Sequence, residues 1–397
     1  MKIIRKIFSS ATNNSYLVAF VLIAYLLPVP TASAQPSDPK TLAIMDSIFD
    51  SIRTLLPLSF DPVKFQAKKN NKLIGDNLDK MAAAATKLDS HGKSLEPGFR
   101  YMSSLFAADV NQIRDSFKTG RFDGARFYLH NIVERCVECH SKLESKQNFP
   151  RSGDFFKNVD TKALPILELA RLQVATRQFD SALDTYEKFF LSPSAAREIG
   201  FGHDVFTDYL KISLRVKRDF SRPAKAFEAF LKRTDVPAYL MDMVKVWNED
   251  LAKISVNNML DKQDLDTAKK AIDFAKSRMD YPTDRSGLVY YTLASAILQT
   301  TVKDLQRPEI ERAEAYYYLG ITELMLTNSL WASGSQPYFE SAIRMAPTAA
   351  FAPSAYAIIE EQVYLAFTGS SGAHVPEDLR KWLEELKKFM EKNRKTQ

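Results

Sequence analysis

The stretch that decides the fold is RFDGARFYLHNIVERCVECHSKLE, residues 121–144. A helix opens near Asp123, and Ala125, Leu129, Ile132, Cys136 and Leu143 then recur along one inner stripe. The chemistry lies near its end, in Cys136-Val137-Glu138-Cys139-His140. Residues three apart lie on nearly the same face of a helix, so the two thiols point the same way. These two are all the cysteines in a chain of 397 residues.

Two Cys at C-x-x-C spacing with His directly after read as attachment of a c-type haem. Both sulfurs can reach the two vinyl groups of one porphyrin, and the imidazole can sit below the iron as proximal ligand. Three other readings compete with it. A thioredoxin-like redox pair needs a strand leading into the motif, and nothing strand-like precedes it. A zinc site needs further Cys or His at ligand spacing, and none is close downstream. A chance match is the third, set against a motif that uses every Cys of an exported chain.

Outward from this stretch the pattern is helical. Residues Thr41 to Leu56 place Leu42, Met45, Ile48, Ile52 and Leu55 on one face, and Pro57 and Pro62 then interrupt. A second helix is predicted from about Val63 to Ser90, with Ile74, Leu78, Met81, Ala85 and Leu88 inward. A third starts at Pro97, carries Met102, Phe106, Val110, Ile113 and Phe117, and ends at Gly120. Four amphipathic helices joined by short turns predict an antiparallel four-helix bundle, with the Cys pair on the inner stripe of the last helix.

On these residues, 35–147 resemble the class II c-type cytochromes, the cytochrome c-prime family, which are four-helix bundles with C-x-x-C-H near the end of the fourth helix. The resemblance implies haem c held by Cys136 and Cys139, with His140 as proximal iron ligand. It also implies a distal site faced by a side chain of the first helix, which makes Met45 the candidate distal ligand. A thioether there suits electron transfer; as a core gap-filler Met45 would resemble Met81 and Met102. The family follows its motif with an aromatic-basic pair, whereas this chain continues Ser141-Lys142-Leu143-Glu144.

Residues 1–34 read as a targeting segment. Lys2, Arg5 and Lys6 precede an apolar run from Tyr16 to Leu27, and Ala32-Ser33-Ala34 forms an A-x-A cleavage site before Gln35. The run is short for a bilayer crossing, and export to the periplasm is expected; an uncleaved membrane anchor is the alternative. Formal net charge is +6 and falls by three to +3 without this segment. No dense basic block interleaves with aromatics, which argues against nucleic-acid binding.

Residues 148–162, with Pro150, Ser152, Gly153 and Asp154, read as a linker. From 163 to 370 the pattern suggests a degenerate helical solenoid resembling tetratricopeptide repeats. The best unit runs from Ile166 to Pro193, with Leu169 and Ala170 in its first helix and Phe179, Ala182, Tyr186 and Phe189 in its second. A second match has Leu319-Gly320, then Phe339, Ala342 and Pro347, and weaker copies surround Phe220–Phe230 and Ala268–Ala275. Residues 371–397 carry a final amphipathic helix, with Leu379, Trp382, Leu383, Leu386 and Phe389 on one face, expected to cap the array.

The expected fold is therefore all-α: an N-terminal four-helix cytochrome followed by a TPR-like α-solenoid. The expected function is electron transfer by a periplasmic mono-haem protein whose repeats dock a redox partner or a multiprotein assembly. Oligomerisation is left open. The alternatives are a five-coordinate gas-binding haem sensor and a scaffold subunit stabilised by its haem. No catalytic constellation is found. His91 reads as a loop residue, His130 as a surface or partly packed one, His203 and His374 as lone loop histidines, and Tyr316-Tyr317-Tyr318 as helical residues pointing apart.

Overall fold

Helix boundaries in the first third are set by side chains the sequence supplies. Glu96 accepts from the Gly98 and Phe99 amides at 2.8 and 3.0 Å, and Pro97 starts the helix that follows. That helix closes at Gly120, whose φ of +76° lets the Arg121 amide reach back to the Ser116 carbonyl at 2.9 Å. The structure is a computed structural model describing residues 39–142, 151, 155–157, 159, 161–162, 164–199, 204–259, 261–281, 284–327 and 334–394. The targeting segment, Leu143, His203 and much of the 148–162 stretch lie outside the described residues.

Helices α1 (Pro39–Ser59), α2 (Pro62–Gln66), α3 (Lys68–Gly92), α4 (Pro97–Lys118) and α5 (Phe122–His140) come first. The long ones pack in sequence, α1 on α3, α3 on α4 and α4 on α5, and α5 returns to α1. Leu55, Ile74, Leu78, Met81, Val110, Ile113 and Leu129 are fully buried in their shared core. Two boundaries differ from the sequence reading. Pro57 does not stop α1, because it falls in the last turn, where few bonds remain to lose and buried Leu55 and Leu56 hold the helix down. The predicted second helix is broken at Ala67, which turns extended (ψ 124°) so that Asp61-capped α2 can tuck Phe65 against Phe117, ring centroids 5.7 Å apart.

The remaining helices are α6 (Ile166–Ala175), α7 (Phe179–Phe190), α8 (Ala195–Glu198), α9 (Asp204–Leu210), α10 (Ser221–Phe230), α11 (Ala238–Val256), α12 (Leu265–Ser277), α13 (Leu288–Thr301), α14 (Glu309–Leu326), α15 (Gln336–Met345), α16 (Ala352–Ala366) and α17 (Glu377–Arg394). Consecutive helices pair, as in α6 with α7, α12 with α13 and α14 with α15. Gly320 lets α14 approach α15 closely: a Cβ there would lie 2.6 Å from the Phe339 ring. An aromatic cluster fills the middle, with Phe190 stacked on Phe206 at 4.8 Å beside Phe227, Phe230 and Trp247. Buried Leu383, Leu386 and Met390 pack α17 onto the last hairpin.

The chain is all-α apart from a two-stranded ribbon, Thr368–Gly369 with Gly372–Ala373. Among the described residues no helix is long and apolar enough to cross a membrane. The two halves share surfaces. Val137 of α5 belongs to the core of the second half, and Leu172 of α6 belongs to that of the first. Arg151 pairs with Asp46 and Asp50 on α1 (3.3 and 2.6 Å), and Phe155 is buried against Phe49.

Candidate functional site

A cavity of about 360 Å³ opens inside the first half, and both cysteines of the motif line it together with His140. That volume falls within the usual small-molecule range of roughly 300–1,000 Å³. The elements explain the convergence. Helix α5 brings Cys136, Cys139 and His140 to its inner end, α1 contributes Leu42, Met45, Ile48 and Phe49, and α4 contributes Phe99, Met102 and Phe106. The fourth side comes from the second half, as Leu172, Ala175, Thr176 and Arg177 at the α6–α7 corner.

The electrostatics follow from burial. Burial pushes the Cys136 thiol up to about 12, with the neighbouring Cys139 adding to it, and burial raises Cys139 as well. Both sulfurs are therefore held as neutral thiols, the reverse of the depressed pKa that activates a redox or nucleophilic cysteine. Burial and the Arg177 charge drive His140 down to about 4, against an opposing pull from the Ala175 and Val174 backbone. The imidazole is neutral at ordinary pH and has a lone pair to give.

The donor set fits a haem. Nδ1 of His140 is buried with no hydrogen-bond partner among the described residues, a condition that costs about 1–3 kcal/mol and calls for a reason. Among the described residues no group of three or more His, Cys, Asp and Glu converges to hold a bare metal ion. A porphyrin brings its own four nitrogens, so one imidazole and two thiols suffice for it. The walls are mostly apolar, and among the described residues no carboxylate lines them.

The other candidates separate cleanly. Met45 is half-buried and lines the cavity, as does buried Met102, whereas Met81 is packed in the core and does not. His130 turns away: its Nε2 lies 2.9 Å from the Ser59 hydroxyl and its ring rests 5.3 Å from Phe60. His91 is in the last turn of α3, not in a loop, with Nε2 3.0 Å from the Thr41 hydroxyl. His374 is exposed and sits 3.2 Å from the Ser371 hydroxyl. The tyrosine run does diverge: Tyr316 stacks on Tyr338, Tyr317 on Phe351, and Tyr318 faces Lys269.

Sequence reasoning missed the polar clamp behind the motif. Helix α9 continues into a π-helical turn, Lys211–Val216, which aims Arg215 inward. Its Nε donates to the Ser141 carbonyl at 3.0 Å, and its Nη1 reaches Glu323 at 3.0 Å and Ser295 at 3.3 Å, all buried. Lys142 is buried too, with Nζ 3.2 Å from the Tyr338 hydroxyl. Burial alone would lower its pKa, but Tyr338, Glu323 and Glu138 outweigh that and hold the ammonium above its usual range. Ser141 and Lys142, directly after His140, both serve this clamp.

No protein-family model matches the chain, and neither a curated protein nor a solved structure is significantly similar to it.

Proposed function

We propose that this protein is an exported mono-haem c-type cytochrome that transfers electrons, built as a four-helix bundle seated on a TPR-like solenoid. The observation that carries the reading is one cavity onto which Cys136, Cys139, His140 and Met45 all open. Cys136 and Cys139 would hold haem c through two thioether bonds, His140 would supply the proximal nitrogen, and Met45 the distal sulfur. The bound haem would contribute a one-electron couple. The chain's own part is to exclude water with Ile48, Phe99 and Phe106, and to keep the imidazole neutral by burying it.

The helical pairs of the second half, with Gly320 under Phe339, support the solenoid reading. One part of that module grips the end of α5 through Arg215 and Lys142. Its remaining surface is then the place for a redox partner or a larger assembly. The basic, then apolar, then A-x-A pattern of residues 1–34 supports export to the periplasm.

The test is an optical spectrum of the matured protein, ferric and ferrous, with and without CO. Low-spin bands, a ferric thioether–iron band near roughly 700 nm and no CO response are expected of Met-ligated haem. A high-spin spectrum that shifts fully with CO would replace electron transfer by gas binding. Absence of covalent haem would remove both.

A further inference from the structure

Two arginines, Arg135 and Arg177, line the cavity, and among the described residues no carboxylate does. A mostly apolar chamber whose charged side chains, among the described residues, are arginines suits a flat hydrophobic ligand with an anionic edge. The two arginines are not equivalent. Arg135 of α5 lies on the motif helix itself, its Nε 2.8 Å from Asp109, with Glu138 at 3.9 Å. Arg177 comes from the opposite side, at the corner between α6 and α7, in the half of the chain that carries the repeats.

The backbone at Arg177 is the kind that favours glycine. Its φ is +58°, the Gln178 amide reaches back to the Gln173 carbonyl at 2.7 Å, and the Arg177 amide reaches Val174 at 2.9 Å. Gly120 closes α4 with the same kind of backward bond. Positive φ alone decides nothing, since Arg218 and Asn258 share it. What sets Arg177 apart is where its side chain leads: the guanidinium lies 6.0 Å from the Phe179 ring centroid and borders the cavity beside Cys139 and His140. The ring supports a cation whose position faces the chamber.

We propose that Arg177 binds the propionate edge of the haem, so that the repeat half of the chain completes the cofactor site. This rests on the haem reading above. The bundle supplies the covalent and axial ligands, and the α6–α7 corner supplies the countercharge. A charge-assisted guanidinium–carboxylate contact is strong and geometrically specific. Arg177 acts as a positioning residue whose charge favours the reduced haem over the oxidised one, since reduction adds a negative charge nearby.

The matured protein is compared with Arg177→Gly and Arg177→Lys. Glycine removes the charge and suits the positive φ, so the corner keeps its backbone. In Arg177→Gly the haem stays covalently attached in full stoichiometry, while the ferrous–ferric equilibrium shifts about tenfold toward ferric, ~59 mV for one electron. The midpoint also becomes more pH-dependent as the propionates lose their partner, and Arg177→Lys restores most of both effects. A midpoint and pH profile identical to wild type with haem retained overturns the proposal and leaves the haem reading standing. Lysine behaving like glycine overturns it also, because the charge is then not what matters. No covalent haem in wild type removes the haem reading itself.

A second measurement is independent of maturation. A Cys136→Ala/Cys139→Ala chain is titrated with protoporphyrin IX and with its dimethyl ester, which lacks the carboxylates. The diacid is expected to bind at least about tenfold more tightly, consistent with a charged hydrogen bond, and Arg177→Gly to abolish that preference. Equal binding of the two porphyrins, or a preference unchanged by Arg177→Gly, overturns the proposal.

Discussion

Arg215 donates from Nε to the backbone carbonyl of Ser141 at 3.0 Å, and so holds the residue directly after His140 from the far half of the chain. The same guanidinium is paired with Glu323 of α14 at 3.0 Å, and both side chains are almost wholly buried. One arginine thus links the end of the motif helix to the middle of the helical pairs. Removing a single partner from such a pair leaves an uncompensated charge, at a cost of about 3–5 kcal/mol. Arg215→Met is expected to lose that much in chemical denaturation. Arg215→Met/Glu323→Met is expected to regain most of it, short of the ~1 kcal/mol bond to Ser141. A double variant no more stable than the single one would show that the pair does not account for the loss.

The pair also sets a pH dependence. Burial alone would raise the Glu323 pKa, but Arg215, then Lys142 and Lys211, overrule it and hold the carboxyl down to about 2 from an ordinary 4.5. A depressed folded-state pKa contributes stability that is fully present above the unfolded value and lost as pH falls through the folded one. Unfolding free energy should therefore decline between about 4.5 and 2, and Glu323→Gln should flatten that decline. The measurement is a series of urea midpoints across this range. An unchanged slope in Glu323→Gln would assign the acid loss to other carboxylates.

Much of the helical layout was legible because capping and spacing agree locally. Pro97 after Glu96 and Gly120 after Lys118 mark the ends of α4 within a residue or two. The break at Ala67 was not legible, since it is imposed by Phe65 reaching Phe117 across the core. The pentapeptide 136–140 announced one wall of the site because its chemistry demands a fixed spacing. The wall formed by Leu172, Ala175, Thr176 and Arg177 carries no such spacing. Those residues are brought to Cys139 only by the packing of α6 on α5. The clamp on Ser141 was hidden for the same reason, as Arg215, Ser295 and Glu323 are distant in sequence and meet only when the helical pairs assemble.

The contact of Gly320 with Phe339 tests the close packing of α14 on α15. A Cβ at 320 would lie 2.6–2.9 Å from three atoms of the ring, so the ring or the helix must shift. Overpacking of this kind costs about 1–3 kcal/mol. Gly320→Ala is expected to lower the unfolding free energy by that amount, and Phe339→Leu in the same chain to recover part of it. If Gly320→Ala is neutral, the helices have room to slide, and glycine is not what sets their separation.

Met45 and Met102 both border the cavity, from α1 and α4, and they are separable by experiment. Met45 is half-buried at the edge of the core it packs against, whereas Met102 is 3% exposed. A side chain that must reach an iron needs freedom that a core side chain lacks, which favours Met45 as the proposed ligand. Leucine keeps the volume of methionine at a cost below about 1.5 kcal/mol in a core, so neither Met45→Leu nor Met102→Leu should unfold the chain. Met45→Leu is expected to convert a low-spin ferric spectrum to high-spin and to admit CO in the ferrous form. Met102→Leu is expected to leave both spectra unchanged. The reverse result would move the distal ligand to α4. High-spin spectra in the wild-type protein and in both variants would mean that the distal side is apolar and that gas binding is the function this cavity serves.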